Sequence, residues 1–123
     1  MRGVRGATTV DRDDPEEILS RTAELLCEIQ RVNGILPGDI AGIIFTMTPD
    51  LTKAFPAAAA RRLGWNLVPL IDAVEPVISG APGRCIRALL LWNTDKTQNE
   101  IKHVYLRGAS GLRPDLGQCE PGD

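Results

Sequence analysis

At 123 residues the chain has room for one domain and a modest core, with little mass to spare for enclosing a ligand by itself. Lys and Arg number 14 against 16 Asp and Glu, a formal charge of −2, so there is no basic field to gather nucleic acid. With 43% hydrophobic and 24% charged residues the composition is that of a soluble globular protein. MRGVRGATTVDRDD has no signal-peptide core and no apolar run reaches transmembrane length, so the cytoplasm is the expected compartment and a membrane role is not expected.

Residues 2–10 carry Val4, Thr8, Thr9 and Val10 and predict a strand. Gly3 and Gly6 weaken it unless backbone or a ligand comes close there. Asp13-Asp14-Pro15-Glu16-Glu17 is a helix start, with Asp14 as cap, Pro15 at the first helical position and Glu17 at the capping-box spacing. Ile18, Thr22, Leu25, Leu26, Ile29 and Val32 repeat with helical period, and Asn33-Gly34 ends the pattern, so a helix is predicted over 15–33. Residues 40–48 read as a buried strand broken by Pro49-Asp50. PAAAARRL at 56–63 reads as a short helix closed by Gly64, and 66–71 as a third strand near an edge, because Pro69 cannot donate to a ladder. A Pro/Gly loop fills 72–83. RCIRALLLW at 84–92 is the most buried-looking strand and HVYLR at 103–107 a short last one. From Gly108 the chain has little to hold it, so the expected domain is 1–115, with 116–123 a flexible tail.

The expected fold is therefore α/β, a mixed sheet of about five strands with one long and one short helix. One long helix covers roughly one face of such a sheet. Yet IAGIIFTM and IRALLLW are apolar on both faces, which requires cover on both. The simplest second cover is another copy of the same chain.

Eleven of the 14 basic residues are Arg, the side chain suited to planar capture of carboxylate or phosphate, so the individual arginines carry the argument. Arg87 lies inside an apolar strand, where a guanidinium needs an anion. Either Glu75 or Asp72 supplies it in a structural ion pair, or a ligand does. Arg5, between two glycines, either faces a ligand or is a surface arginine on an edge strand. Glu75 begins a Pro/Gly loop and is a site carboxylate or a solvated one, as is Asp72. Tyr105 is a site residue or core with its hydroxyl satisfied. Arg113 is a lid residue or part of a disordered tail, and Arg61 and Arg62 on the short helix read first as a solvated face. Cys27, Cys85 and Cys119, odd in number and widely spaced, form neither a disulfide framework nor a zinc site. His103 has no Ser or Cys partner in evidence, and no cofactor loop is present. Dispersed arginines, one loop Glu and one Tyr, without a metal set or nucleophile pair, suit a small polyanion whose reactivity changes without covalent help.

RGVRGATTV, DPEEI, TPDLTKAFPA, GWNLVPL, the CIR of RCIR, WNTDKTQNEIKHVYL and LRPDL, in that order through nearly the whole chain, resemble the small monofunctional trimeric chorismate mutases. The resemblance implies a homotrimer forming a pseudo-α/β barrel with three sites at subunit interfaces, no cofactor and no metal. It implies the rearrangement of chorismate to prephenate in the shikimate pathway of aromatic amino acid biosynthesis. It places Arg87 beside the substrate's ether oxygen, Glu75 on its hydroxyl, and Arg5 and Tyr105 on a carboxylate. Phe55 becomes apolar wall, with Arg61 and Arg113 on the entrance side. Two departures stand out: Asp72 occupies a position where the family carries a small neutral residue, and the SGAPG loop differs in composition. Asp72 keeps open a rival from another class, a non-catalytic metabolite-binding trimer on the same scaffold. A different enzyme on a similar trimeric fold, such as an imine deaminase, lacks support from RGATTV or LRPDL.

Overall fold

A computed structural model describes residues 1–111. Strand β1 (Arg2–Thr9) leads to helix α1 (Pro15–Asn33). The Asp14 side chain caps α1 by accepting from the Glu17 N–H at 3.0 Å, and Glu16 and Glu17 put negative charge at the positive end of its dipole. Gly34 ends α1 at φ 71°, donating to the Gln30 carbonyl. Strand β2 (Ile40–Met47), helix α2 (Ala57–Arg62) and strands β3 (Leu70–Val74), β4 (Cys85–Trp92) and β5 (Val104–Tyr105) follow. The sheet order is β3-β2-β4-β1-β5; β4 runs antiparallel to both neighbours, while β3 with β2 and β5 with β1 are parallel. This is the expected mixed sheet with one long and one short helix.

One face of the sheet holds the core. Val4, Ile43, Phe45, Ala88, Leu90 and Trp92 pack there against Leu25, Leu26 and Ile29 of α1. Gly6 is explained by the same packing: a Cβ on it would meet Ile29 Cδ1 at 2.6 Å, so α1 sits where a side chain would be. The opposite face carries Arg5, Ile44, Thr46, Arg87 and Leu89, the residues that alternate with the core set along their strands. No described residue covers it as α1 covers the first face, and Ile44, Ile71 and Leu89 are exposed. The both-faces pattern read in β2 and β4 is thus half met within one chain.

Three expectations need correction. β3 begins at Leu70, not 66, and runs into the segment expected as loop. After Gly64, at φ 85°, Trp65 and Val68 turn into the core and consume the residues assigned to the strand's start. The strand then continues because Met47, at the far end of β2, pairs with Val74 and accepts from the Glu75 N–H at 2.9 Å. Second, Arg107–Gly111 is held rather than loose: it forms a 3₁₀ turn whose Ala109 is buried with Ala7 and Tyr105. Third, Arg87 sits in a central strand but is half-exposed, its side chain at 53%, because it faces the open side. The expected boundary at 115 and Arg113 lie outside the described residues. No helix among those described is long and apolar enough to cross a membrane.

Candidate active site

The site is built on the open face, around the middle of β4. Ladder pairing sets Arg87 beside Thr46 of β2 and Ala7 of β1. Glu75 is delivered to the same place by the end of β3. Arg87 Nε donates to Glu75 Oε2 at 2.7 Å and Nη2 to Oε1 at 2.8 Å, a bidentate pair. The Thr46 hydroxyl also donates to Oε2. Glu75 is 9% exposed. Burial pushes its carboxyl up, but the hydrogen bonds from Arg87 and Thr46 and the Arg87 charge outweigh burial and hold it below the usual carboxylate range. The bond to Glu75 in turn raises the Arg87 pKa. Of the two partners considered for Arg87 from the sequence, the structure selects Glu75.

Arg5 projects from β1 opposite Leu89, and Tyr105 of β5 pairs with Ala7. Arg5, Ile44, Thr46, Arg87, Leu89 and Tyr105 line one groove of about 380 Å³. The Arg5 guanidinium makes no hydrogen bond or ion pair among the described residues, whereas its backbone N–H donates to His103 Nδ1 at 2.9 Å. That bond ties the approach to β5 against β1 and fixes where Arg5 leaves the strand. A second hollow, about 340 Å³, is lined by both members of the Arg87–Glu75 pair and by Val77 and Ile78 of the loop that follows β3. Cys85 lines it, with its thiol pushed up to about 11, chiefly by burial and then by the Glu75 charge, so it holds no thiolate at neutral pH.

Phe55 and Arg61 stand apart from this groove. Phe55 precedes α2 and is 64% exposed, and Arg61 is exposed on α2 itself. Asp72 does not join Arg87 either. It pairs with Phe45, on the helix-facing side of β3, and accepts from the Ala57 N–H at 3.0 Å. Asp72 is thus engaged with the start of α2, on the side of the chain that carries Arg61. Burial raises the Asp72 pKa, opposed by the Ala57 hydrogen bond and the Arg61 charge. A raised pKa means the folded state holds a proton more readily than the unfolded one, so this group's contribution is present at low pH and lost as pH rises through the folded value. Asp72→Asn, which keeps an acceptor for Ala57, is expected to match or exceed the wild-type Tm at pH 7 and lose that advantage near pH 4. Asp72→Ala is expected to cost about 1 kcal/mol for the lost hydrogen bond. Thermal melts of the three proteins at both pH values check this; a lower Tm for Asp72→Asn at pH 7 contradicts it.

Two contributors went unread in the sequence. Thr46 looks like any β-branched strand residue in IIFTMT, and only its pairing with Arg87 reveals the hydroxyl's role. His103 was weighed as a nucleophile's partner, while the structure uses it as an acceptor for backbone. Taken together, the groove offers a fixed cation on a buried carboxylate, a second arginine and a phenol, on a rigid sheet. It suits holding an anion and stabilising negative charge.

The family model for chorismate mutase type I matches residues 1–116. The chain is 52% identical over 121 residues to chorismate mutase AroH of Thermus thermophilus, covering 98% of this chain and 99% of that protein. It is 45% identical to chorismate mutase AroH of Bacillus subtilis (strain 168), over 94% of this chain and 92% of that one. Among solved structures it resembles a chorismate mutase from Clostridium thermocellum, with a TM-score of 0.87 and 46% identity over 89% of this chain and 97% of that chain.

Proposed function

From the premise that this chain belongs to the chorismate mutase type I family and is a chorismate mutase, an isomerase of aromatic amino acid biosynthesis, we infer that the groove on the open sheet face carries out the rearrangement. The observation that carries this assignment is the half-exposed Arg87 held in a fixed plane by Glu75, with Arg5 and Tyr105 in the same groove.

Chorismate becomes prephenate by a concerted shift. One C–O bond breaks as one C–C bond forms, and no proton or covalent intermediate is needed. The enzyme has two tasks. It selects the compact conformer in which the reacting carbons meet, and it stabilises the negative charge that grows on the ether oxygen. Arg87 serves the second task. Two of its N–H groups are committed to Glu75 and the others remain to meet the oxygen, so the cation is in place before charge develops. Arg5 and Tyr105 serve the first by holding a carboxylate, and Glu75 accepts from the substrate hydroxyl.

The complete site needs a second copy. Phe55 and Arg61 lie away from the groove of their own chain, and the groove's face is apolar and uncovered. A homotrimer brings the α2 region of one subunit over the open sheet face of the next and places three sites at the interfaces. The cytoplasm is the proposed compartment. Loss of chorismate's ultraviolet absorbance on adding purified protein tests the assignment; a folded trimer that leaves the absorbance unchanged overturns it.

Arg113 belongs to the entrance in this reading. Arg113→Ala is expected to raise KM several-fold while kcat stays near wild type, because capture and not chemistry is affected. Steady-state kinetics with an unchanged KM remove that role.

A further inference from the structure

Glu75 is the acceptor assigned above to the substrate hydroxyl, and its two oxygens are not equivalent. Oε2 accepts from both Arg87 Nε and the Thr46 hydroxyl, whereas Oε1 accepts from Arg87 Nη2. A carboxylate oxygen offers about two lone-pair directions. Oε2 is therefore filled, and Oε1 keeps one direction free. Shape does not account for the hydroxyl that fills Oε2. Thr46 stands in an apolar strand run, where valine has the same outline and an equal liking for the pleated sheet.

We propose that Thr46 is a positioning residue for the rearrangement. Its hydroxyl occupies Oε2, leaves Oε1 as the single atom of Glu75 that accepts from the substrate hydroxyl, and locks the carboxylate plane on which the Arg87 fork rests. The terminal torsion of a glutamate side chain is soft. Without Thr46, the carboxylate can turn about that torsion, trade its bidentate grip on Arg87 for a single bond, and offer either oxygen to the substrate hydroxyl. Arg87's uncommitted N–H groups then lose their fixed aim at the ether oxygen. The inference rests on the roles given to Glu75 and Arg87 under the proposed function.

The hydrogen bond from Thr46 also helps hold the Glu75 carboxyl below its usual range against burial. Removing it raises the carboxyl, since one of the bonds that oppose burial is gone. The acid limb of kcat/KM, which reports the ionised carboxylate, then moves to higher pH. Loosened packing alone does not move a limb in this way.

Thr46→Val and Thr46→Ser separate hydroxyl from shape. The Val variant is expected to lose about tenfold in kcat/KM, the rate equivalent of one hydrogen bond to a charged group, with its acid limb shifted upward. The Ser variant is expected to return both toward wild type. The ¹³C resonance of the Glu75 carboxyl, titrated in the free enzyme, is expected to show a higher midpoint in Thr46→Val than in wild type or Thr46→Ser. Wild-type kinetics and midpoint in Thr46→Val overturn the proposal, as does a Ser variant as impaired as Val, which assigns the effect to shape. Because the midpoint needs no turnover, it still decides whether Thr46 controls Glu75 if the wild type fails to rearrange chorismate, an outcome that would sink the functional reading instead. If the Val variant does not fold, Thr46→Ala carries the same comparison.

Discussion

Arg87→Ala is expected to lower kcat by roughly 10²–10³-fold or more while leaving the fold intact. Removing one preorganised donor from a developing oxyanion costs about 3–4 kcal/mol, and here the donor is also a full charge. The loss should fall on kcat more than on KM, because the interaction strengthens as the C–O bond breaks. The fold should survive because the side chain is half-exposed on the open face and its removal leaves no hole in the packing on α1. Glu75 is affected too. Without Arg87, burial is opposed only by the Thr46 hydrogen bond and the carboxyl rises, so the loss should deepen toward the acid side of the pH profile. In wild type the lowered carboxyl contributes stability above its unfolded pKa, and that contribution is lost as pH falls through the folded value. Arg87→Lys keeps the charge without the rigid fork and is expected to lie between the two proteins. Rapid kinetics on chorismate, with circular dichroism on the same samples, check this. Wild-type kcat in a folded Arg87→Ala protein removes Arg87 from the chemistry.

Much of the fold was legible because the signals were local. Asp14 and Pro15 mark the start of α1 and Gly34 its end, each by backbone chemistry that needs no tertiary context, while Glu17, at the capping-box spacing, accepts instead from the Asp11 and Arg12 N–H groups. β2 and β4 were legible as apolar runs, and Pro69 pointed correctly to an edge, since β3 is the last strand on its side. The start of β3 was not legible. Leu67 and Val68 suit a strand by type, but Trp65 and Val68 are needed in the core and bend the chain there. Arg87 and Glu75 were both singled out, yet their pairing rests on a parallel register between β2 and β3 that no spacing in the sequence encodes. Asp72 illustrates the same limit. Three residues from Glu75 in sequence, it points to the other face of the sheet, because side chains alternate along a strand.

Two chains that are each impaired are expected to recover activity when mixed and assayed at low chorismate, one carrying Arg87→Ala and the other Phe55→Ala with Arg61→Ala. The reason is that the residues of the proposed site fall on two surfaces of the chain. Arg5, Arg87, Glu75 and Tyr105 belong to the open sheet face, while Phe55 and Arg61 belong to the α2 side of the same chain. The α2–β3 side is itself apolar and open, with Phe55, Leu67, Val74 and Val77 all exposed. Joining two different patches by a rotation that closes makes a ring, and three copies close it without leaving either patch bare. Each site then takes its sheet face from one subunit and its α2 side from the next. With equal, random mixing, about half the sites receive an intact Arg87 and about half of those an intact Phe55 and Arg61, so about a quarter of wild-type activity should return. Co-expression or refolding of the mixture, followed by the chorismate assay and light scattering, gives the result. A mixture no more active than its two components, in a confirmed trimer, places the whole site within one chain and leaves Phe55 and Arg61 outside it.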